Sequence, residues 1–136
     1  MKTILVSLLI AILISINLNG QNLIGSSEKD VRQYMTDNRK EMTFQNFINN
    51  STFKYLKYTN SDETLTLLFF LNEESVCKSV RLVCDKSLKA EEIKDFDSRC
   101  KRTGDNQWTE TKNGKNYLIE LKEEEWSFNI TIKLNE

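Results

Sequence analysis

The clearest pattern in this chain is a strict alternation of apolar and polar side chains between residues 126 and 134. Every second residue there is apolar (Trp126, Phe128, Ile130, Ile132 and Leu134), and those between are polar. Successive side chains of a β-strand point to opposite faces of the sheet, so this period predicts a strand over residues 125–134. One face then lies in a core that includes Trp126, and the other faces water.

Five further segments have the composition of strands, and short polar turns separate most of them. They cover residues 53–59, 64–71, 76–84, 107–111 and 117–122. The pair Asn113-Gly114 predicts a tight hairpin between the last two of these, because both central residues of a type I′ turn need positive φ. Tyr117, Ile119 and Leu121 share one parity and are assigned to the core face.

Two segments have helical spacing. Val31, Tyr34 and Met35 follow Ser27 and Asp30, which resemble a capping box, and predict a helix near 27–41. A second helix is predicted at about 88–101, capped by Ser87 and ended at residues 103–105. The segment 42–52 is ambiguous, since its apolar residues could extend a helical face or cover a sheet edge.

The two halves of the chain repeat one plan, a helix followed by three strands. The helix segments "SSEKDVRQYM" and "LKAEEIKDFD" also match, pairing Val31 with Ile93 and Tyr34 with Phe96. The sequence therefore predicts a single α+β domain over residues 21–136. Its fold would be a six-stranded antiparallel sheet made from two αβββ units, with both helices packed on one face.

Gly25, Ser26, Glu28 and Val31 form an opening that is similar to one found in β-lactamase inhibitor protein and related small exported bacterial domains. The αβββ layout resembles the half-unit of that family. The chain lacks the paired disulfide loops of the inhibitor, so no inhibitory contact carries over to its residues. The resemblance implies an architecture and a binding role.

Residues 4–16 form an apolar run that follows Lys2 and is too short for a membrane span. We interpret residues 1–20 as a signal peptide cleaved after Gly20, which predicts an exported protein, periplasmic or secreted; an uncleaved N-terminal anchor is the alternative. The 19 basic and 20 acidic residues give a net charge of −1. No strong field therefore exists to attract nucleic acid, and we predict no integral membrane span after cleavage.

The chain contains no histidine. Ser–His–Asp triads, Cys–His dyads and histidine-ligated metal sites are therefore excluded. The acidic pairs lie mostly at predicted turns, where solvated charges are expected. We predict no catalytic residue, no metal site and no cofactor.

The three cysteines, Cys77, Cys84 and Cys100, have no CxxC spacing. On one regular strand Cys77 and Cys84 would face opposite sides, about 23 Å apart. Parity favours Cys84 as a disulfide partner of Cys100, whereas position along the strand favours Cys77. A bulge near Lys78 would permit a Cys77–Cys100 bridge, and buried free thiols are the alternative.

The strand at 64–71 is apolar on both faces, because Leu68 and Phe70 fall on its nominally wet side. Val83 and Leu118 are predicted neighbours. Two interpretations stay open: segment 42–52 covers this face, or the four residues form a patch for a protein partner or a second copy.

These observations predict an exported interaction module without enzymatic activity. The alternative is a carbohydrate- or envelope-associated binder that uses exposed aromatic side chains. Trp108, which follows a loop and has polar neighbours, is the candidate for that contact, and a core position at the head of its strand is the alternative.

Overall fold

The computed structural model describes residues 23–135, and the predicted signal peptide with its cleavage point lies outside them. Within that range the chain forms two helices, α1 (Glu28–Asn38) and α2 (Lys89–Arg99). A single 3-10 turn, Lys86–Leu88, precedes α2. The strands are β1 (Met42–Asn49), β2 (Lys54–Asn60), β3 (Leu65–Leu71), β4 (Cys77–Asp85), β5 (Lys101–Gly104), β6 (Gln107–Lys112), β7 (Lys115–Glu123) and β8 (Ser127–Leu134).

These eight strands form one antiparallel sheet in the order β1-β2-β3-β4-β8-β7-β6-β5. Each half contributes a helix and then four strands. The last strands of the two halves, β4 and β8, pair at the centre of the sheet. The prediction of six strands from two αβββ units was therefore wrong, since each half has one strand more than its hydrophobic pattern indicated.

The first missed strand is β1, the ambiguous segment of the sequence. Its pairing with β2 slips between Phe44 and Asn46, which leaves Gln45 as the extra residue of a bulge. A bulge reverses the parity of the side chains that follow it. Phe44 and Phe47 therefore share the core-side face although they are three residues apart, and no period of two is visible.

The second missed strand is β5, which was assigned to the end of the second helix. Its four residues are all exposed and its pairing with β6 is irregular, so it has no apolar signal. The helix α2 stops at Arg99, and Cys100 already has extended backbone geometry. A short, polar, irregular strand is typical of a protected sheet edge.

The helix starts follow ordinary capping rules. Ser27 caps α1, and its side chain accepts a hydrogen bond of 3.2 Å from the backbone N–H of Asp30. Before α2 the capping residue is Asp85, whose carboxylate accepts from the N–H of Ser87 at 2.9 Å. Ser87 is therefore capped by its neighbour and is not itself the cap that the sequence predicted.

Both helices cover the same face of the sheet, as predicted. Val31 and Met35 of α1 and Phe96 of α2 are buried in one cluster with the inward-facing strand residues. The inward residues of β8 are Phe128, Ile130 and Ile132, all without exposed surface, and those of β7 are Tyr117, Ile119 and Leu121. The opposite side, which we name the outer face, carries no helix among residues 23–135.

The central strand β4 contains the bulge that the parity of Lys78 had suggested. Leu71 pairs with Cys77 and Phe70 pairs with Ser79, so Lys78 is the extra residue. Lys78 is exposed, whereas Cys77 and Cys84 are each 1% exposed. The bulge therefore brings both cysteines to the core face, although they lie seven residues apart.

Candidate functional site

The outer face carries a group of neighbouring apolar side chains in the first half of the sheet. Leu68 and Phe70 of β3 point outward, as their parity predicted, and Tyr55 of β2 lies opposite Phe70 in the register. Ile48 of β1 lies opposite Tyr55. Arg81 of β4 lies opposite Leu68. We name these five residues, Ile48, Tyr55, Leu68, Phe70 and Arg81, the outer patch.

Ring contacts order the centre of the outer patch. The rings of Tyr55 and Phe70 have centroids 5.4 Å apart and are tilted by 56°. The guanidinium carbon of Arg81 lies 5.1 Å from the Phe70 centroid, within the range of a cation–π contact. Phe70 thus has a tyrosine on one neighbouring strand and an arginine on the other.

All five side chains of the outer patch are partly exposed. Segment 42–52, which could have covered this face, lies mostly in β1 at the edge of the same sheet. It adds an edge strand to the sheet and does not cover Leu68 and Phe70. Because nothing in the described part of the chain covers them, the patch is a surface feature and not a second core.

Of the four residues predicted for the patch, Leu68 and Phe70 belong to the outer patch, Val83 borders it and Leu118 lies apart from it. Val83 points outward on β4 opposite Thr66, diagonally next to Leu68. Leu118 also points outward, but Ser79 and Lys133 lie between it and Phe70 across the sheet. Three strand spacings amount to about 14 Å. Leu118 therefore belongs to the second half of the outer face and not to the outer patch.

Three members of the outer patch were not predicted from the sequence to belong to it. Tyr55 and Arg81 join Phe70 and Leu68 only through the register between strands, which a single sequence does not reveal. The alternation of Tyr55, Lys57 and Thr59 was a usable signal for the outward face of β2. Ile48 had no such signal, because the bulge at Gln45 hides the period of β1.

A depression adjoins the outer patch where the β1–β2 loop faces the β3–β4 hairpin. Its volume is about 680 Å³, and its lining includes Phe53, Phe70, Lys78 and Arg81. Phe53 is 53% exposed, which is unusual for a phenylalanine. The apolar surface therefore continues from the sheet into a concave region that could hold a projecting side chain.

Trp126 was predicted in the core and is exposed, whereas Trp108, the candidate for an exposed contact, has the alternative core position. Trp108 has no exposed surface and packs against Phe96 of α2, with ring centroids 5.3 Å apart. It cannot serve as an exposed aromatic contact, because α2 lies over the core face of β6. Trp126 is 81% exposed, since β8 begins only at Ser127 and Trp126 lies in the turn before it.

The three cysteines are free thiols in this structure. The Sγ atom of Cys100 lies 3.7 Å from Oε2 of Glu110 on β6. Three strand spacings, about 14 Å, separate β6 from β4, and Cys100 directly precedes β5 on the far side of β6. A disulfide needs Cα atoms no more than about 7 Å apart. The predicted Cys77–Cys100 pair is therefore not brought together.

The same thiols are poorly suited to nucleophilic chemistry. Burial raises the pKa of Cys77 and of Cys84 to about 12, and that of Cys100 to about 11. A nucleophilic cysteine requires the thiolate, which a lowered pKa supplies. The charge of Glu92 also raises the pKa of Cys84. Glu92 is itself partly buried, and burial raises the pKa of its carboxyl. Burial therefore disfavours the charged forms of both groups.

The described part of the chain offers no candidate metal site and no candidate membrane span. Between residues 23 and 135 no three cysteine, aspartate or glutamate side chains are grouped so that they could hold a metal ion. Over the same range, neither helix has the length and apolar character needed to cross a bilayer.

Comparison of the chain with protein-family models, with curated proteins and with solved structures found no match. The similarity in layout to the family of β-lactamase inhibitor protein stays a prediction.

Proposed function

We propose that this protein is an exported interaction module without enzymatic activity, which binds a protein partner through the outer patch. The observation that carries the proposal is the contiguous, uncovered set of Ile48, Tyr55, Leu68 and Phe70 on the face opposite the helices. Aromatic and arginine side chains at the centre of an apolar surface are the usual anchors of protein interfaces. The neighbouring depression adds a concave element to this surface.

Photo-crosslinking tests the proposal even though the partner is unidentified. A photoreactive phenylalanine analogue would replace Phe70 in one variant and Leu118 in another, with the complete 136-residue sequence expressed in its native host. Both positions lie in the same row of the outer face, but in different halves of the sheet. We expect a discrete protein adduct from position 70 and none from position 118.

A pair of leucine variants then measures the contribution of the patch. Leu68→Ala should weaken capture of the crosslinked partner about tenfold, the loss typical of an interface anchor. Leu118→Ala is the matched control, because it removes the same atoms from the same face outside the outer patch, and it should have no effect. Equal adducts at positions 70 and 118, or no adduct at position 70, would refute the proposal.

A second candidate function is carbohydrate binding at Trp126, the one described tryptophan with an exposed ring. An indole that is 81% exposed at a hairpin tip offers a face on which a sugar ring can stack. A glycan-array measurement with the wild type and with Trp126→Ala tests it. Binding that is lost in the variant supports this function, and an array without signal excludes it for the sugars tested.

A further inference from the structure

The outer face has a charge that differs in sign from that of the whole chain. The net charge of the chain is −1. The outward-facing strand positions carry more cations than acids, namely Lys57, Arg81, Lys101, Lys122 and Lys133 against Asp85 and Glu120. The strand registers thus collect basic side chains on the face that has no helix, so this face favours an acidic partner.

Arg81 differs from the other arginines in its partners. Arg32, Arg39, Arg99 and Arg102 each pair with a carboxylate of the core side or its rim. Arg81 has no carboxylate within 4.0 Å among residues 23–135, and its charge interaction is with the Phe70 ring. Lys57 and Arg81 lie on the two sides of Leu68 in the strand register. Among residues 23–135, Lys57 likewise has no carboxylate within ion-pair distance.

Two other cations of the outer face are already matched. Lys133 pairs with Glu120 at 3.7 Å, and Lys122 pairs with Glu124 at 3.9 Å. Both lie in the second half of the sheet. The excess charge on the face therefore concentrates on Arg81 and Lys57, on either side of the apolar centre, with Lys101 at the far edge strand.

The position of Arg81 suits a carboxylate ligand. The guanidinium carbon of Arg81 lies 5.1 Å from the Phe70 centroid, and its N–H groups have no carboxylate partner among residues 23–135. A planar guanidinium can donate two parallel hydrogen bonds to one carboxylate, and such charge-assisted pairs are among the stronger polar contacts. Partial burial beside Leu68 and Phe70 lowers the competition from water at this point.

We propose that the partner of the outer patch is an acidic protein segment that presents a carboxylate to Arg81 and an adjacent apolar side chain to Leu68 and Phe70. The inference rests on the proposed function and names the chemistry of its partner. A protein is favoured over a nucleic acid because Arg81 already covers a face of Phe70, whereas single-stranded nucleic acid needs open aromatic faces for base stacking. It is favoured over an anionic membrane because the unmatched cations are few and surround an apolar centre.

Synthetic peptides test this chemistry directly. Octapeptides would be arrayed in four classes: acidic with an aromatic residue, acidic without one, basic with an aromatic residue, and neutral with an aromatic residue. The protein produced from the complete 136-residue sequence would be applied to the array. We expect the acidic aromatic class to bind at least about tenfold better than the basic aromatic class, because one charge-assisted contact is gained and one repulsion avoided.

Variants of the basic residues then locate the contact. Arg81→Gln should weaken binding of the best acidic peptide about tenfold. Arg81→Lys should recover only part of it, because lysine lacks the two-pronged geometry. Lys101→Gln is the matched control, since it removes an outward cation at the opposite edge of the sheet, and it should change affinity less than twofold. Unchanged thermal unfolding would confirm that the variants are folded.

Several outcomes would overturn the inference. They are equal binding of acidic and basic peptides, equal losses in Arg81→Gln and Lys101→Gln, or Arg81-dependent binding to phosphatidylglycerol vesicles or a single-stranded oligonucleotide in place of peptides. Crosslinking at position 70 separates this failure from that of the proposed function. If position 70 still yields a protein adduct, a protein partner exists and only its acidic character is refuted.

Discussion

The indole Nε1 of Trp108 donates a hydrogen bond of 2.8 Å to Oδ1 of Asp97. Trp108 lies on β6 without exposed surface, and Asp97 lies near the end of α2. A buried indole N–H needs an acceptor, and here the helix that covers the ring supplies it. This bond attaches α2 to the second half of the sheet and holds Trp108, the candidate for an exposed contact, in the core.

Asp97→Ala should lower the free energy of unfolding by about 1–3 kcal/mol, because it leaves the buried N–H without a partner. Asp97→Asn retains a side-chain oxygen and should cost less. Asp37→Ala is the control, since this carboxylate accepts only an exposed hydrogen bond from Gln33 on the other helix, and a change within about 0.5 kcal/mol is expected. Urea unfolding measures all three, and equal losses for Asp97→Ala and Asp37→Ala would contradict the role of the bond.

The two tryptophans should have clearly different fluorescence. Trp108→Phe leaves only the exposed Trp126, whose emission should lie at longer wavelength and be quenched readily by acrylamide. Trp126→Phe leaves only the buried Trp108, with emission at shorter wavelength and little quenching. Their alanine variants should differ in stability too, with a cost of about 3–5 kcal/mol at Trp108 and within about 0.5 kcal/mol at Trp126. Similar quenching of both would show that the assignment of core and surface is wrong.

Stability should decline in alkaline solution. Burial raises the pKa of Cys77 and Cys84 from 9.0 to about 12 in the folded chain. Below pH 9 each thiol is protonated in both the folded and the unfolded chain, so its contribution to the free energy of unfolding is fully present. Between pH 9 and 12 the unfolded chain loses the proton first, and stability falls by up to about 1.4 kcal/mol per pH unit for each thiol.

The comparison of wild type with Cys84→Ala isolates this effect, because the two proteins differ only at residue 84. Urea unfolding at pH 8, 9 and 10 should give a shallower alkaline decline in the variant, whatever its stability at pH 8. Parallel declines would show that the Cys84 thiol is not desolvated in the folded state.

The β6–β7 hairpin should depend on its glycine. Asn113 and Gly114 both have positive φ, 53° and 75°, as the sequence predicted for a type I′ turn. Gly114→Ala should cost about 1–2 kcal/mol of unfolding free energy, the penalty of this backbone region for a residue with a Cβ. Gly104→Ala is the control, because a Cβ there would meet Gln107 at an ordinary 3.5 Å and its φ is not positive. Equal effects at the two glycines would argue against the turn.

Local patterns predicted the parts of this fold in which burial alternates without interruption. The phase of β8, the two apolar faces of β3, the hairpin at Asn113 and the bulge at Lys78 all follow from short stretches of sequence. The pattern failed at interruptions: the bulge at Gln45 concealed β1, and the four polar residues of β5 had no apolar signal. The period of β8 was also extended one step too far, to Trp126.

Of the candidate site, only the residues on the single strand β3 were predicted from the sequence. The parity of β3 placed Leu68 and Phe70 on the outer face, whereas Arg81 and Tyr55 became their neighbours through pairing between strands. Leu118 has the same parity but is three strands away, because β8 is inserted between β4 and β7. The burial of Trp108 likewise depends on packing against Phe96 of α2, a contact that the pattern of its own strand does not reveal.

The central position of β8 has a consequence for truncation of the chain. It follows every other described strand in the chain, yet its neighbours are β4 and β7 in the middle of the sheet. Without β8, strands β1–β4 and β5–β7 form separate groups of four and three, and β4 and β7 each have an unpaired edge. A chain that ends before Ser127 would therefore expose two unpaired edges from the middle of the sheet, and such edges promote pairing with other chains.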